Sequence, residues 1–111
     1  MTTTISIGRR RSLAAAQAAV ERGGELLILV QYNADVELPK KEDLVPVGVL
    51  ATVRDVLRTP HMGVQMLVEL HRRVQFEGLE TAEPYLTGQY SELTTIRDSD
   101  NSQTSTEAIA C

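Results

Sequence analysis

Tryptophan is absent from this chain, phenylalanine occurs once and tyrosine three times. Aromatic rings therefore cannot dominate a core, and Val, Leu, Ile, Ala and Met must fill it. The single cysteine, Cys111, is the final residue, which rules out an internal disulfide and a cysteine-based zinc site and fits a reducing cytoplasm. Lysine occurs only at Lys40 and Lys41, behind a proline and with no glycine nearby. A phosphate-cradling Gly-x-x-x-x-Gly-Lys-Ser/Thr loop thus has no counterpart, which speaks against ATP binding. Serine–lysine peptidase chemistry needs a desolvated lysine beside a serine, whereas these two lie in a charged stretch that keeps them protonated. No apolar run approaches the ~18 residues needed to cross a bilayer. The opening "MTTTISIGRRRS" lacks the apolar segment of a secretory signal. Its Arg- and Ser/Thr-rich bias superficially suits an organellar transit peptide.

The chain has 111 residues, 42% of them hydrophobic, enough for one core and one domain. A net charge of −4 and a pI near 5.1 argue against a general nucleic-acid binder, which draws affinity from a basic excess. The cations are nonetheless clustered, at Arg9, Arg10 and Arg11 and again at Arg72 and Arg73. Ser12 reads as an N-cap, Leu13 to Arg22 as a short helix with a thin alanine-rich stripe, and Gly23-Gly24 as its left-handed stop. "ELLILVQY", residues 25–32, reads as a strand buried on both faces. The Pro-containing charged stretch after it reads as an exposed loop.

From Val47 the apolar residues alternate until the phase slips near Arg54-Asp55, which a β-bulge explains. A second alternating run passes through Val64, Met66, Val68 and Leu70 and resumes at Val74 and Phe76. A straight strand of that length would span about 43 Å at ~3.3 Å per residue, so a bend is expected around Glu69 to His71. A last strand is expected from Tyr85 to Leu93. Residues 97–107 carry no hydrophobic side chain, so residues 96–111 are expected to be a disordered tail or linker outside a domain formed by 1–95.

Chemistry is sparse. His61 and His71 lack the paired spacing of a metal site, and the carboxylates at Glu42-Asp43 and Asp98-Asp100 sit in hydrophilic loops where nothing shifts a pKa. No catalytic residue, metal or cofactor is expected. Met62 could give an adaptable apolar contact, whereas Met66 reads as core. One of Arg72 and Arg73 is expected to pair with a neighbouring carboxylate such as Glu69. Arginines in the first helical turn oppose the helix dipole, at ~0.3–1 kcal/mol each, unless an anion offsets them. A solvated loop and a protein contact both remain open for Arg9 to Arg11.

Several short pieces occur in a telling order. They are Gly8, Arg9 and Ser12; Gln31 and Asp35; Val47-Gly48; Leu67-Val68-Glu69; Arg73-Val74; and Glu83-Pro84-Tyr85. Over residues 5 to 95 this pattern resembles the N-terminal (LON) domain of bacterial ATP-dependent protease Lon. The resemblance implies a mainly β, PUA-like curled sheet or pseudo-barrel with one short α-helix. It also implies a non-catalytic role in recognising unfolded or damaged polypeptides, with ATPase and Ser-Lys peptidase activity on separate domains. Partners would then be unfolded polypeptides and neighbouring Lon domains or subunits, in the cytoplasm and not at a membrane. Contacts are expected at Arg9, Arg10, Arg11, Met62, Arg72 and Tyr85.

Two departures from the family pattern matter. Its opening Leu-Pro-Leu to Phe-Pro-Gly strand is not found here, so an exposed sheet edge or an unfilled groove is expected. The glycine usual after Val-Glu is Leu70, which weakens the case for a bend there. A stand-alone PUA-like RNA or small-ligand module using the two arginine clusters is the alternative reading.

Overall fold

In a computed structural model the chain forms β1 (Thr2–Ile7), α1 (Arg10–Glu21), β2 (Glu25–Leu29), a single 3-10 turn (Lys41–Asp43), β3 (Val47–Thr59), β4 (Gly63–Thr81), β5 (Thr87–Glu92) and β6 (Thr104–Ala110). The structure describes residues 1–8, 10–33, 35–36, 38–61, 63–81, 84–92 and 104–110.

The six strands make one sheet in the order β1-β4-β3-β2-β6-β5, and an additional β4–β5 pairing joins its far end back to β4. Five strands therefore close a ring of hydrogen bonds, β4-β3-β2-β6-β5. β1 stands outside the ring as an edge strand against the first half of β4. All pairings are antiparallel except β2 with β6. The mainly β, curled-sheet expectation holds, as a coiled ring with a projecting flap instead of a regular barrel.

β2 is buried on both faces, as its unbroken apolar run requires. Leu27 and Leu29 join Leu50, Val74, Phe76, Tyr90 and Ala108 in a cluster inside the ring. Leu26 and Ile28 point the other way and pack with Ala15, Ala16 and Ala19 of α1. The alanine stripe lets the helix lie close against the ring, and its contacts are mainly with β6 and also with β2 and β3. The helix begins at Arg10, two residues before the expected cap, so Ser12 lies inside the first turn. It ends as expected: Gly23 and Gly24 have φ of +106° and +96°, and the Gly24 N–H reaches back to the Ala19 carbonyl.

The irregularity in β3 falls where the apolar phase slips, whereas the one in β4 falls in the segment where strand length required a bend and the apolar phase gave no sign of it. Val53 faces Val68 but Asp55 faces Leu67, leaving Arg54 as an extra residue in β3. Ala51 faces Leu70 but Leu50 faces Arg72, leaving His71 as an extra residue in β4. A bulge reverses side-chain parity. Met66 and Val68 accordingly face the helix-side cluster, whereas Val74 and Phe76, of the same numerical parity, face the ring interior. The single apolar face expected for β4 is thus two faces, divided at His71. Extended, this strand of 19 residues would reach about 63 Å at ~3.3 Å per residue. The molecule's longest dimension is 49 Å, so β4 must bend, and it does so without a glycine at Leu70.

Residues 104–110 overturn the expectation of a tail running from 96. They form β6, which sits between β2 and β5 and completes the ring. Small side chains hid it: Ala108 and Ala110 face the ring interior, Ile109 faces α1, and Thr106 and Glu107 are buried despite being polar. Residues 96–103 lie outside the described residues.

Candidate functional site

Arg10 and Arg11 occupy the first turn of α1, which contains no acidic residue. They line a cleft of about 530 Å³ with Leu38 and Pro39 from the β2–β3 loop and Pro84 and Leu86 ahead of β5. The loop wall is fixed by Gln31, which is buried and donates from Nε2 to the carbonyls of Asn33 (3.0 Å) and Val36 (2.8 Å). The Val45 N–H bonds to the Val30 carbonyl at 2.8 Å and closes the loop's base. A glutamine ending an apolar strand therefore serves as a loop staple. Leu38 is 53% exposed at the cleft. Sequence reasoning passed over Leu38, Pro39 and Pro84, although an apolar residue beside a proline inside a charged loop was a readable signal.

Of the other expected contact residues, Arg72 and Tyr85 do not line the cleft. Arg9 and Met62 lie outside the described residues. Tyr85 is half-buried against the helix-side cluster, so packing occupies much of its ring. Arg72 makes a two-pronged ion pair with Glu92, Nε to Oε1 at 2.9 Å and Nη2 to Oε2 at 2.7 Å. Its partner is therefore Glu92 and not Glu69, which is held by Arg54. The bulge at His71 brings this about by turning Arg72 toward the mouth of the ring, beside β5. Nearby, the Tyr90 hydroxyl is 3.5 Å from Glu25.

These pairs set the local electrostatics. The Arg54 guanidinium, chiefly through its hydrogen bonds, holds the Glu69 carboxyl below the usual carboxylate range. Arg72 does the same for Glu92, and its own pKa is raised by that bond. His71 Nε2 and Thr52 Oγ1 share a hydrogen bond on the same surface. Among the described residues no group of three His, Cys, Asp or Glu side chains is placed to hold a metal ion.

A second feature lies along β1. Its residues alternate exposed and half-buried, with Thr2, Thr4 and Ser6 outward. On the opposite face Ile5 and Ile7 join Val56 and Leu70 at the margin of the helix-side cluster. Among the described residues no strand pairs with the outer edge of β1.

A coiled β ring with one helix on its flank, an edge strand unpaired among the described residues and a cleft of mixed apolar and cationic lining define a small, mainly β domain. The profile of the ATP-dependent protease La (LON) substrate-binding domain matches residues 1–110, and the chain belongs to that family. It is 32% identical over 95 residues to the Lon protease of Haemophilus influenzae, covering 86% of this chain and 12% of that protein. It is 31% identical over 93 residues to Lon protease 3 of Sorangium cellulosum, covering 84% and 11% respectively. With the Lon protease of Fusobacterium nucleatum the match is 31% over 108 residues, 96% of this chain and 14% of the relative. The chain thus spans roughly a tenth to a seventh of the length of these relatives.

Proposed function

We propose that this domain recognises unfolded or damaged polypeptides for a Lon-type protease in the cytoplasm and performs no chemistry itself. Cleavage and ATP hydrolysis would belong to other domains. The observation that carries this reading is the match to a substrate-binding domain over nearly the whole chain. The disposition of ionisable groups agrees with it. Arg54, Arg72 and their carboxylate partners are tied up in exposed pairs, which orient surface charge and do not poise a nucleophile or base. Arg9, Arg10, Arg11, Met62, Arg72 and Tyr85 remain proposed contact residues, with Arg10 and Arg11 best situated because they line the cleft. Neighbouring Lon domains or subunits would meet other parts of the surface.

The test compares one labelled protein in folded and unfolded forms as ligand for the purified chain, by fluorescence anisotropy. Preferential binding of the unfolded form is expected, with no ATPase or peptidase activity in the same sample. Equal affinity for the two forms would overturn the reading.

A further inference from the structure

We infer that the open edge of β1 is where an extended polypeptide adds as a further strand, pairing through its backbone with Thr2, Thr4 and Ser6. This rests on the polypeptide-binding reading above and specifies the surface and the form of ligand it takes.

The backbone geometry fixes which groups are available. The Leu70 N–H donates to the Met1 carbonyl at 2.6 Å. The register places Met1 opposite Leu70, one step beyond Thr2 opposite Glu69, so this is a hydrogen-bonded pair of an antiparallel ladder. Such pairs alternate with non-bonded ones. Thr3, Ile5 and Ile7 therefore turn their N–H and C=O groups toward β4. Thr2, Thr4 and Ser6 turn theirs toward the open side, where no described strand receives them.

Edge strands ordinarily carry a lysine, a proline, a bulge or an inward charge that prevents another chain from pairing. β1 has none of these. It reads TTTISI, and it runs without a register shift along β4 from Thr2 to Ile7. Threonine and isoleucine also favour extended backbone.

The side chains beside the edge select the occupant. Ile5, Ile7, Val56 and Val64 are half-buried on one face, whereas Thr2, Thr4 and Ser6 are exposed on the other. An added strand with apolar residues at every second position would continue both faces, apolar beside apolar and polar toward water. Segments of that pattern are buried in folded proteins and accessible in unfolded ones. A second copy of this chain fits less well. Pairing along six residues covers far less than the ~1,000 Å² that a lasting interface between copies needs.

The test uses a fluorescein-labelled ten-residue peptide, Asp-Asp followed by alternating Val and Thr, as the probe for the whole chain. Thr4→Pro removes one outward N–H without removing a bond to β4, a position where edge strands tolerate proline. Thr4→Val keeps the N–H. The expected result is unchanged peptide affinity for Thr4→Val and at least a tenfold loss for Thr4→Pro, with both variants unfolding near the parent's temperature. Should Thr4→Pro fail to fold, the parent chain is tested with the same peptide N-methylated at its four central amides, and a tenfold loss is again expected.

Equal binding by Thr4→Pro, or by the methylated peptide when the variant does not fold, overturns the edge assignment while leaving polypeptide recognition intact. Failure of the parent chain to bind both this peptide and any unfolded protein overturns the recognition reading and the edge with it. Concentration-dependent dimerisation abolished by Thr4→Pro would assign the edge to a second copy and also refute the proposal.

Discussion

Inside the ring, Leu27 sits between two glycines, and this arrangement makes a quantitative test of the fold. A Cβ built on Gly88 would lie 3.0 Å from Leu27 Cδ2 and 3.4 Å from Phe76 Cε1, with nothing tighter. A Cβ on Gly48 would meet Leu27 Cδ1 at 3.1 Å, but also Leu29 Cδ2 at 3.0 Å and the Ile28 carbonyl oxygen at 3.1 Å. Neither glycine has a positive φ, so any cost of adding a methyl group arises from crowding. Overpacking of this kind costs about 1–3 kcal/mol, offset in part by ~0.4–1 kcal/mol from the stiffer unfolded chain. Leu27 is fully buried, and truncation to Ala should cost ~2–5 kcal/mol through lost burial and the cavity left behind.

The double variants distinguish the two glycines. Leu27→Ala removes the tightest contact at Gly88, so Leu27→Ala/Gly88→Ala should be more stable than the sum of its parts, by ~0.5–3 kcal/mol. Leu27→Ala/Gly48→Ala keeps the clash with the Ile28 carbonyl and with Leu29, and its coupling should be clearly smaller. Urea titrations read at the midpoint with constant slope give these values. Additive behaviour for the Gly88 pair would refute the placement of β5 against β2 across the ring, and with it the closure.

Three further outcomes follow from the same structure. Glu107 is 5% exposed and accepts a hydrogen bond from Arg22 at 3.1 Å. Arg22→Ala should therefore destabilise by ~1–3 kcal/mol, whereas removing both charges with Glu107→Gln/Arg22→Gln should recover part of that loss, as thermal unfolding would report. Gly24→Ala forces a side chain into a φ of +96° and a Cβ to within 3.1 Å of Thr52 Cγ2, so a cost above ~1 kcal/mol is expected, and a neutral effect would contradict the helix stop. Glu69 and Glu92 have pKa values lowered by their arginine partners. A lowered carboxyl adds stability that is complete above its unfolded pKa and is lost as the pH falls through the folded one. Arg54→Gln/Arg72→Gln should thus flatten the acid limb of the stability–pH curve, the variant falling slightly below the parent at neutral pH and converging with it at low pH, with a small difference because both pairs are exposed and screened. Parallel acid limbs for parent and variant would refute this.

Much of the fold was legible because long apolar runs leave few options. A continuous run of strand length such as Leu26–Leu29, set directly after a glycine pair that follows an alanine-rich helical stretch, fits a strand with protein on both faces. The slip at Arg54 announced its bulge directly. β6 was illegible for the opposite reason. Its inward positions beside β2 and β5 are narrow, and Thr106, Ala108 and Ala110 fill them, so no scan for large apolar residues would register a strand. The cleft was half legible. The arginines stood out as a cluster, but Leu38 and Pro84 reach them only through the folded loops.

The bulge at His71 connects the fold to the surface. Had β4 kept a single parity, Arg72 would share its face with Met66 and Val68, and a guanidinium would be forced beneath α1 among buried methyl groups. One extra residue moves Arg72 to the ring mouth, where Glu92 meets it. It also delivers Val74 and Phe76 to the interior and divides the free side of β4 between two partners. β1 takes residues 64–69 and β5 takes 74–81. Because β5 turns into the ring with the second half of β4, β1 is left on the first half with no strand beyond it among the described residues. The same local irregularity that closes the ring therefore leaves the flap with an open edge.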